Sequence, residues 1–135
     1  MSSKPPPQPT VLVADDDDDC LQLLSSMVRR LGFEVLEARN GRELCEQAAE
    51  RYAAGRNLAA IVTDVGMPVC TGVTAAKWIG ALTPEVPVIL VTAYRGTALW
   101  EEAAAAGVRR ILPKPFTAEQ LTETLKAVQQ KTTSV

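Results

Sequence analysis

The side chains that could do chemistry in this sequence are mainly carboxylates, hydroxyls and lysine. Five consecutive aspartates form an acidic run, Asp15–Asp19, and Asp64, Thr92 and Lys114 each follow an apolar segment. The chain contains no histidine, which excludes a Ser-His-Asp triad, histidine-ligated zinc and a phosphohistidine on this chain. Clustered carboxylates need a cation, and oxygen ligands favour Mg²⁺. Brought together, these residues would suit magnesium-assisted phosphoryl transfer with Asp64 as nucleophile.

The acidic run has two simpler interpretations. An EF-hand calcium loop starting at Asp15 fails, because its sixth position is Cys20 instead of glycine and its twelfth is Ser26 instead of glutamate. Acidic residues at the start of a helix also serve as caps and complement the helix dipole. We expect the acids beyond the first pair, Asp17 to Asp19, to have that capping role.

The strands and helices that must position these residues can be predicted from the pattern of apolar residues. Five short apolar runs alternate with five segments in which apolar residues recur every three to four positions. The runs cover residues 11–14, 33–37, 59–63, 88–91 and 108–112. This alternation predicts an α/β fold, a doubly wound five-stranded parallel sheet with five helices on both faces. Helix signals agree: Asn40 can cap the second helix, and Thr117 opens the fifth with a capping box that Gln120 completes.

The strand order follows from where the charges lie. The first, third and fourth runs are continuously apolar, as expected of strands buried on both faces. The second run contains Glu34 and Glu37 and the fifth contains Arg109 and Arg110, and charged strands belong at sheet edges. The predicted order is therefore 2-1-3-4-5, with a crevice at the carboxyl ends of strands one and three.

The candidate residues all stand at carboxyl ends of these strands. Asp15 and Asp16 follow strand one, Asp64 strand three, Thr92 strand four and Lys114 strand five. Three carboxylates, a hydroxyl and an ammonium should therefore meet at one rim of the sheet. The joint placement of five such groups is much harder to attribute to chance than the placement of any single one.

With these motifs the chain resembles the receiver domain of two-component response regulators. The matching segments are VLVADDD at 11–17, TDVGMPVCTG at 63–72, VTAY at 91–94 and ILPKPF at 111–116. The resemblance implies that Asp64 accepts a phosphoryl group from the phosphohistidine of a sensor histidine kinase or phosphotransfer protein. It also implies that Thr92 and Lys114 contact the phosphoryl oxygens and that the peptide bond before Pro115 is cis.

The resemblance further implies a Mg²⁺ cofactor and a signalling face. Asp16 and Asp64 would bind the ion through carboxylates and Gly66 through its carbonyl, with Asp15 acting through bound water. The signalling face would lie along helix four, strand five and helix five. There the chain departs from the family, because Ile111 stands where an aromatic residue usually turns inward. We expect a partially exposed Trp100 to report the switch, with a buried, structural Trp100 as the alternative, and we expect Tyr94 to shield the phosphorus from water.

Length and composition limit the rest. The 135 residues suit one domain, predicted as a receiver domain over 11–130 between disordered tails at 1–10 and 131–135. The first tail is proline-rich, and Pro6 and Pro9 match a PxxP spacing. Without a basic patch, an apolar run of about 18 residues or a CxxC pair, we expect a cytoplasmic protein with no nucleic-acid or membrane partner.

Three other functions compete with that of a signalling protein that takes part in its own phosphorylation and dephosphorylation. A flavodoxin would need small and hydroxyl residues where the aspartates stand. A small Mg²⁺-dependent aspartyl-phosphate phosphatase would need a larger body around its substrate. A phosphorylation-independent interaction module is disfavoured by the intact Asp16, Asp64, Thr92 and Lys114. The downstream protein partner is unknown, and a phosphorylation-dependent dimer is possible for this family.

Overall fold

The structure, a computed structural model, describes residues 9–56, 58–67, 71–94 and 96–129. Five strands and five helices alternate along the chain. In order they are β1 (Thr10–Ala14), α1 (Asp18–Arg30), β2 (Glu34–Ala38), α2 (Gly41–Ala53), β3 (Ala60–Asp64), α3 (Gly72–Leu82), β4 (Val88–Thr92), α4 (Thr97–Ala105), β5 (Arg110–Pro113) and α5 (Ala118–Gln129).

The sheet is parallel with the order β2-β1-β3-β4-β5, as predicted. The charge argument for the edges is confirmed, because β1 and β4 are buried throughout whereas β2 and β5 are largely half-buried or exposed. Parallel strands with helices on both faces require apolar residues on both sides of each central strand.

Alternate residues of β1 belong to two cores, one on each face of the sheet. Val11 and Val13 pack in a cluster that includes apolar residues of α1 and α5. Leu12 and Ala14 pack in a second cluster with residues of α2 and α3. The helices therefore cover both faces of the sheet and leave the strand ends open at the rim.

The element boundaries differ from the sequence expectation by one or two residues. β1 begins at Thr10, inside the span predicted as tail, because Thr10 is buried, pairs with Glu34 and accepts a hydrogen bond from Arg51 at 3.1 Å. β5 begins at Arg110 instead of residue 108. The rest of the predicted tails falls mainly in residues 1–8 and 130–135, outside the described residues.

The helix caps follow the sequence signals. Asp17 caps α1 by accepting the Cys20 N–H at 3.0 Å, and Asn40 caps α2 in the same way. The side chains of Thr117 and Gln120 accept each other's backbone N–H groups at the start of α5. Within the described residues, no helix combines the length and the apolar character needed to cross a membrane.

Candidate functional site

Three carboxylates meet at the carboxyl ends of β1 and β3. Asp15 and Asp16 directly follow β1, and Asp64 is the last residue of β3. One carboxylate oxygen from each lies within 4.8 Å of the others. Asp15 is buried, Asp64 is half-buried and Asp16 is exposed. The sequence prediction that these residues converge is confirmed, and the cluster combines a fixed inner carboxylate with one open to solvent.

Lys114 places its ammonium between two of these carboxylates. Its Nζ lies 3.3 Å from Asp15 Oδ2 and 3.3 Å from Asp64 Oδ1. Its backbone N–H donates to the Thr92 carbonyl at 2.8 Å, and the Lys114–Pro115 peptide bond is cis, as the resemblance implied. The end of β5 thus holds a point charge directly beside Asp64.

The electrostatics of the site follow from partial burial of opposite charges. Burial raises the pKa of Asp15, although a hydrogen bond from the Asp17 N–H and the Lys114 charge act in the opposite direction. Burial by itself lowers the pKa of Lys114, but the charges of Asp64 and Asp15 outweigh it and the pKa is raised. Lys114 is therefore cationic at neutral pH.

Thr92 and Gly66 complete the set of predicted site residues. Thr92, the last residue of β4, is buried and its Oγ1 accepts the Tyr94 N–H at 3.0 Å. In the sheet, Asp64 pairs with Val91 and Thr92 pairs with Pro113, which puts their strand ends side by side. Gly66 is exposed in the segment after Asp64, and a ligand role for its carbonyl stays a prediction.

The backbone beyond Asp64 is held by a close approach that the sequence did not reveal. A Cβ added to Gly72, the first residue of α3, would collide with the carbonyl oxygen of Asp64. The Gly72 N–H donates to Val65 at 3.0 Å, and Thr63 donates its hydroxyl to the Asp64 carbonyl at 3.0 Å. Gly72 therefore allows α3 to start directly against the candidate nucleophile.

Another contact that the sequence did not reveal pairs one aspartate of the acidic run with a distant arginine. The Asp18 carboxylate lies 2.9 Å from Nε of Arg39, which follows β2. Both side chains are exposed. No local pattern signals this pair, because the two residues are far apart in the sequence and meet only through the β1–β2 pairing.

The three residues predicted for the switch line one groove beside the site. Tyr94, Trp100 and Ile111 surround a groove of about 350 Å³ together with Thr97 and Pro113. Ile111 is half-buried, and Trp100 is 48% exposed. The groove runs between the segment after β4, α4 and β5. Its proximity to Thr92 follows from Tyr94, whose N–H is bonded to the Thr92 hydroxyl oxygen.

A second cavity opens beside Lys114. It measures about 330 Å³ and lies between α1 and the segment after β5. Asp15 and Lys114 form its polar end, and its apolar lining includes Leu23, Met27 and Phe116. Leu23 is 61% exposed, so an apolar surface borders the carboxylate cluster.

Comparison with known proteins identifies the domain. A family model described as the response regulator receiver domain matches residues 11–126. The chain belongs to this family. As a receiver domain it is a signalling module of two-component systems and not a classical enzyme. Receiver domains interact with histidine kinases and with downstream effectors.

Curated relatives of this receiver domain include short and long proteins. The chain is 35% identical over 110 residues to chemotaxis protein CheY1 of Helicobacter pylori, covering 79% of this chain and 86% of that protein. It is 34% identical over 104 residues to the transcriptional regulatory protein ZraR of Escherichia coli O157:H7. That match covers 77% of this chain but only 22% of ZraR.

Solved structures agree with the receiver fold. Chemotaxis protein CheY4 of Vibrio cholerae superposes with a TM-score of 0.81 at 30% identity, covering 90% of this chain and 98% of that chain. The receiver domain of the sensor histidine kinase PA1611 of Pseudomonas aeruginosa has a TM-score of 0.80 at 26% identity, covering 91% and 98%. The latter was solved with a magnesium ion coordinated in its active site cleft.

Proposed function

We propose that this receiver domain accepts a phosphoryl group on Asp64 from the phosphohistidine of a sensor histidine kinase or phosphotransfer protein. The observation that carries the proposal is the position of the Lys114 ammonium, 3.3 Å from both Asp64 and Asp15. A structural ion pair needs only one carboxylate. Here Lys114 faces two carboxylates and a third lies at the rim, so the cluster carries negative charge that a bound cation could neutralise. The oxygen-only donor set fits Mg²⁺.

Asp16 and Asp64 would hold Mg²⁺ through their carboxylates, with the Gly66 carbonyl as a further ligand and Asp15 acting through water. The bound ion supplies neutralisation of charge on the phosphoryl oxygens. Asp64 is the nucleophile: one of its oxygens bonds to phosphorus while the phosphorus–nitrogen bond to the donor imidazole breaks and leaves its electron pair on that nitrogen. Lys114 and the Thr92 hydroxyl then contact the transferred phosphoryl oxygens.

The direct test is phosphorylation with a small phosphodonor and Mg²⁺, followed by the mass of the intact protein. The native chain should gain one phosphoryl group and Asp64→Asn should gain none. Asp18→Asn is the matched control, because the Asp18 carboxylate is bonded to Arg39 at 2.9 Å. Equal labelling of native protein and Asp64→Asn would refute the assignment.

The metal ligands are tested separately by a Mg²⁺ titration. Asp16→Asn should weaken Mg²⁺ binding far more than Asp18→Asn, since the Asp16 carboxylate belongs to the three-carboxylate cluster. Equal losses in the two variants would mean that the acidic run attracts the ion only as a diffuse field.

The same proposal includes signalling through α4, β5 and α5 to a downstream protein partner, with the cytoplasm as the place of action. Phosphoryl contacts to Thr92 and Lys114 would shift the balance between two conformations. With Ile111 in β5, that shift takes place without a turning aromatic ring. A phosphoryl analogue with Mg²⁺ should change Trp100 fluorescence and the amide spectrum of α4; if both stay unchanged, this face is not the output. A phosphorylation-dependent dimer would appear as an increase in molecular mass in the samples that contain the phosphoryl analogue and Mg²⁺.

A further inference from the structure

One buried threonine lies directly before the proposed phosphoryl acceptor. Thr63 belongs to β3, where it follows three buried apolar residues, and its own exposed fraction is 0%. Valine would fill nearly the same volume at this position without bringing a polar group into the core. A buried hydroxyl is costly unless it is hydrogen-bonded, so the bond that this hydroxyl makes indicates what it does.

The Thr63 hydroxyl reaches both ends of the turn that follows β3. Its Oγ1 donates to the backbone carbonyl of Asp64 at 3.0 Å and lies 3.9 Å from the Met67 sulfur. Side chains alternate along a strand, which puts Thr63 on the face of Ile61, and Ile61 and Met67 belong to one core cluster. A hydroxyl has one proton, and a carbonyl accepts it better than a thioether does. The bond to the Asp64 carbonyl is therefore the stronger of the two contacts.

The turn between these contacts carries Gly66, whose carbonyl is a proposed Mg²⁺ ligand. The Met67 N–H donates to the Val65 carbonyl at 3.0 Å, and the Gly72 N–H donates to the same oxygen at 3.0 Å. A hydrogen bond between residues two positions apart closes a three-residue turn, here with Gly66 in the middle. The direction of the Gly66 carbonyl therefore depends on how the neighbouring peptide units are held.

The peptide unit that joins Asp64 to Val65 is restrained at its oxygen. That oxygen accepts the Thr63 hydroxyl, and a Cβ on Gly72 would collide with it, so α3 limits its movement on that side. Without the hydroxyl, the two backbone dihedral angles beside this peptide unit are less restrained. These angles set where Gly66 lies relative to the Asp64 side chain.

We propose that Thr63 is a positioning residue: its hydroxyl fixes the Asp64–Val65 peptide and thereby sets the Gly66 carbonyl relative to the Asp64 carboxylate. The inference rests on the proposed function, in which these two groups bind one Mg²⁺. Because Mg²⁺ demands near-ideal octahedral geometry, a small displacement of one ligand relative to the other weakens binding. The role depends on the hydroxyl and not on the volume of the side chain.

A Mg²⁺ titration followed by NMR separates the hydroxyl from the volume. Thr63→Val keeps the volume and removes the hydroxyl, whereas Thr63→Ser keeps the hydroxyl and removes a methyl group. Thr63→Val should weaken Mg²⁺ binding about tenfold, as loss of a group that orients a metal ligand does, and Thr63→Ser should stay within about twofold of the native chain. Native affinity in Thr63→Val, or an equal loss in Thr63→Ser, would overturn the proposal. Thr63→Ala also lacks the hydroxyl and replaces Thr63→Val should that variant not fold.

Thr10→Val is the matched control for a loss of stability. Thr10 is also buried in a strand, and its hydroxyl oxygen accepts a hydrogen bond from Arg51 at 3.1 Å, but it lies at the amino end of β1. Both valine variants leave a polar partner without its bond and should lower the urea midpoint of unfolding. Only Thr63→Val should lose Mg²⁺ affinity. Equal losses of affinity in the two variants would mean that affinity follows stability, which contradicts a positioning role.

The turn itself is measured without metal, by hydrogen exchange of the Met67 amide. Thr63→Val should lose protection there because the turn is less restrained, and Thr63→Ser should keep it. Native protection in Thr63→Val would count against the proposal. Met67→Leu removes the sulfur at similar volume and should keep the native Mg²⁺ affinity. A loss as large as that of Thr63→Val would assign the role to the sulfur contact instead of the Asp64 carbonyl.

The outcomes distinguish this inference from the proposed function. A native chain that binds no Mg²⁺ and takes up no phosphoryl group would refute the proposed function, whatever the exchange rate at Met67. A native chain that does both, with Thr63→Val equal to it in affinity and exchange, would refute only the role of Thr63.

Discussion

Adjacent aspartates with identical side chains occupy four different environments. Asp15 is buried beside Lys114, and Asp16 is exposed at the rim of the cluster. Asp17 caps α1, and Asp18 pairs with Arg39. Each role is set by the point at which the chain leaves β1 and enters α1. The position of each aspartate in the run therefore indicates its function better than the number of aspartates does.

A hydrogen bond outside the site gives a pH prediction. The pKa of Glu85 is lowered, first because the Thr83 hydroxyl donates to its carboxylate at 2.7 Å. A folded pKa below the unfolded value means that the ionised form stabilises the fold above about pH 4.3, and that this contribution is lost as pH falls through the folded pKa. Thr83→Val should raise the Glu85 pKa in a carbon-detected NMR titration. An unchanged pKa would assign the shift to the Glu85 backbone N–H instead.

A second prediction at the residue scale concerns the lifetime of the phosphoryl group. Tyr94 stands two residues after Thr92, and its backbone is bonded to the Thr92 hydroxyl. The Tyr94 ring should block water from the phosphorus, whereas Gly66, which has no side chain, leaves space for it. We expect the shielding by Tyr94 to be the larger effect. Tyr94→Ala should therefore lose the phosphoryl group faster, measured after removal of the donor. Trp78→Ala, which removes an exposed ring from α3, should not change the rate. A Tyr94→Ala rate equal to or below the native rate contradicts shielding.

At the scale of elements, α3 contains a matched pair of glycines with opposite requirements. A Cβ on Gly72 would overlap the Asp64 carbonyl oxygen, which is backbone and cannot turn aside. A Cβ on Gly80 would meet only the Ala106 carbonyl at 3.5 Å, an ordinary contact. The two positions test whether the start of α3 positions the site.

Gly72→Ala should destabilise the fold by about 1–3 kcal/mol and slow phosphorylation of Asp64, because the strand end must move. Gly80→Ala should stabilise it by about 0.5–1 kcal/mol, as alanine does inside a helix, and leave phosphorylation unchanged. Urea unfolding and the phosphodonor assay measure both effects. Similar stability changes in the two variants would show that the Asp64 backbone yields to the new Cβ.

The sequence predicts elements well where the signal is local or periodic. The apolar runs, the charged edges and the caps at Asn40 and Thr117 all appear as expected. Contacts between distant segments are not encoded in that way. Arg39 with Asp18, and Gly72 against Asp64, depend on how finished elements meet. The strand start at Thr10 depends likewise on Arg51 of α2.

At the scale of the whole molecule, the sheet order produces the site. Residues from β1, β3, β4 and β5 contribute to one rim, and the Lys114–Asp15 contact joins positions 99 residues apart. The sequence could predict this convergence because carboxyl ends of parallel strands share an edge. It pointed to a signalling face along α4, β5 and α5 only through the resemblance, and it did not show that Tyr94, Trp100 and Ile111 line one groove.

The order of the site residues along the chain has a consequence during its synthesis, because Asp64 precedes Lys114 by 50 residues. Translation proceeds at about 5–20 residues per second, so Asp64 leaves the ribosome several seconds before Lys114. During that interval Asp64, the proposed acceptor, exists without the Lys114 ammonium and without β5 beside β4. A ribosome-bound chain ending before Lys114 should therefore take no phosphoryl group from a small donor, whereas a released complete chain should. On the proposed mechanism, a nascent chain would therefore accept a phosphoryl group only after Lys114 has joined the carboxylates at the rim of the sheet.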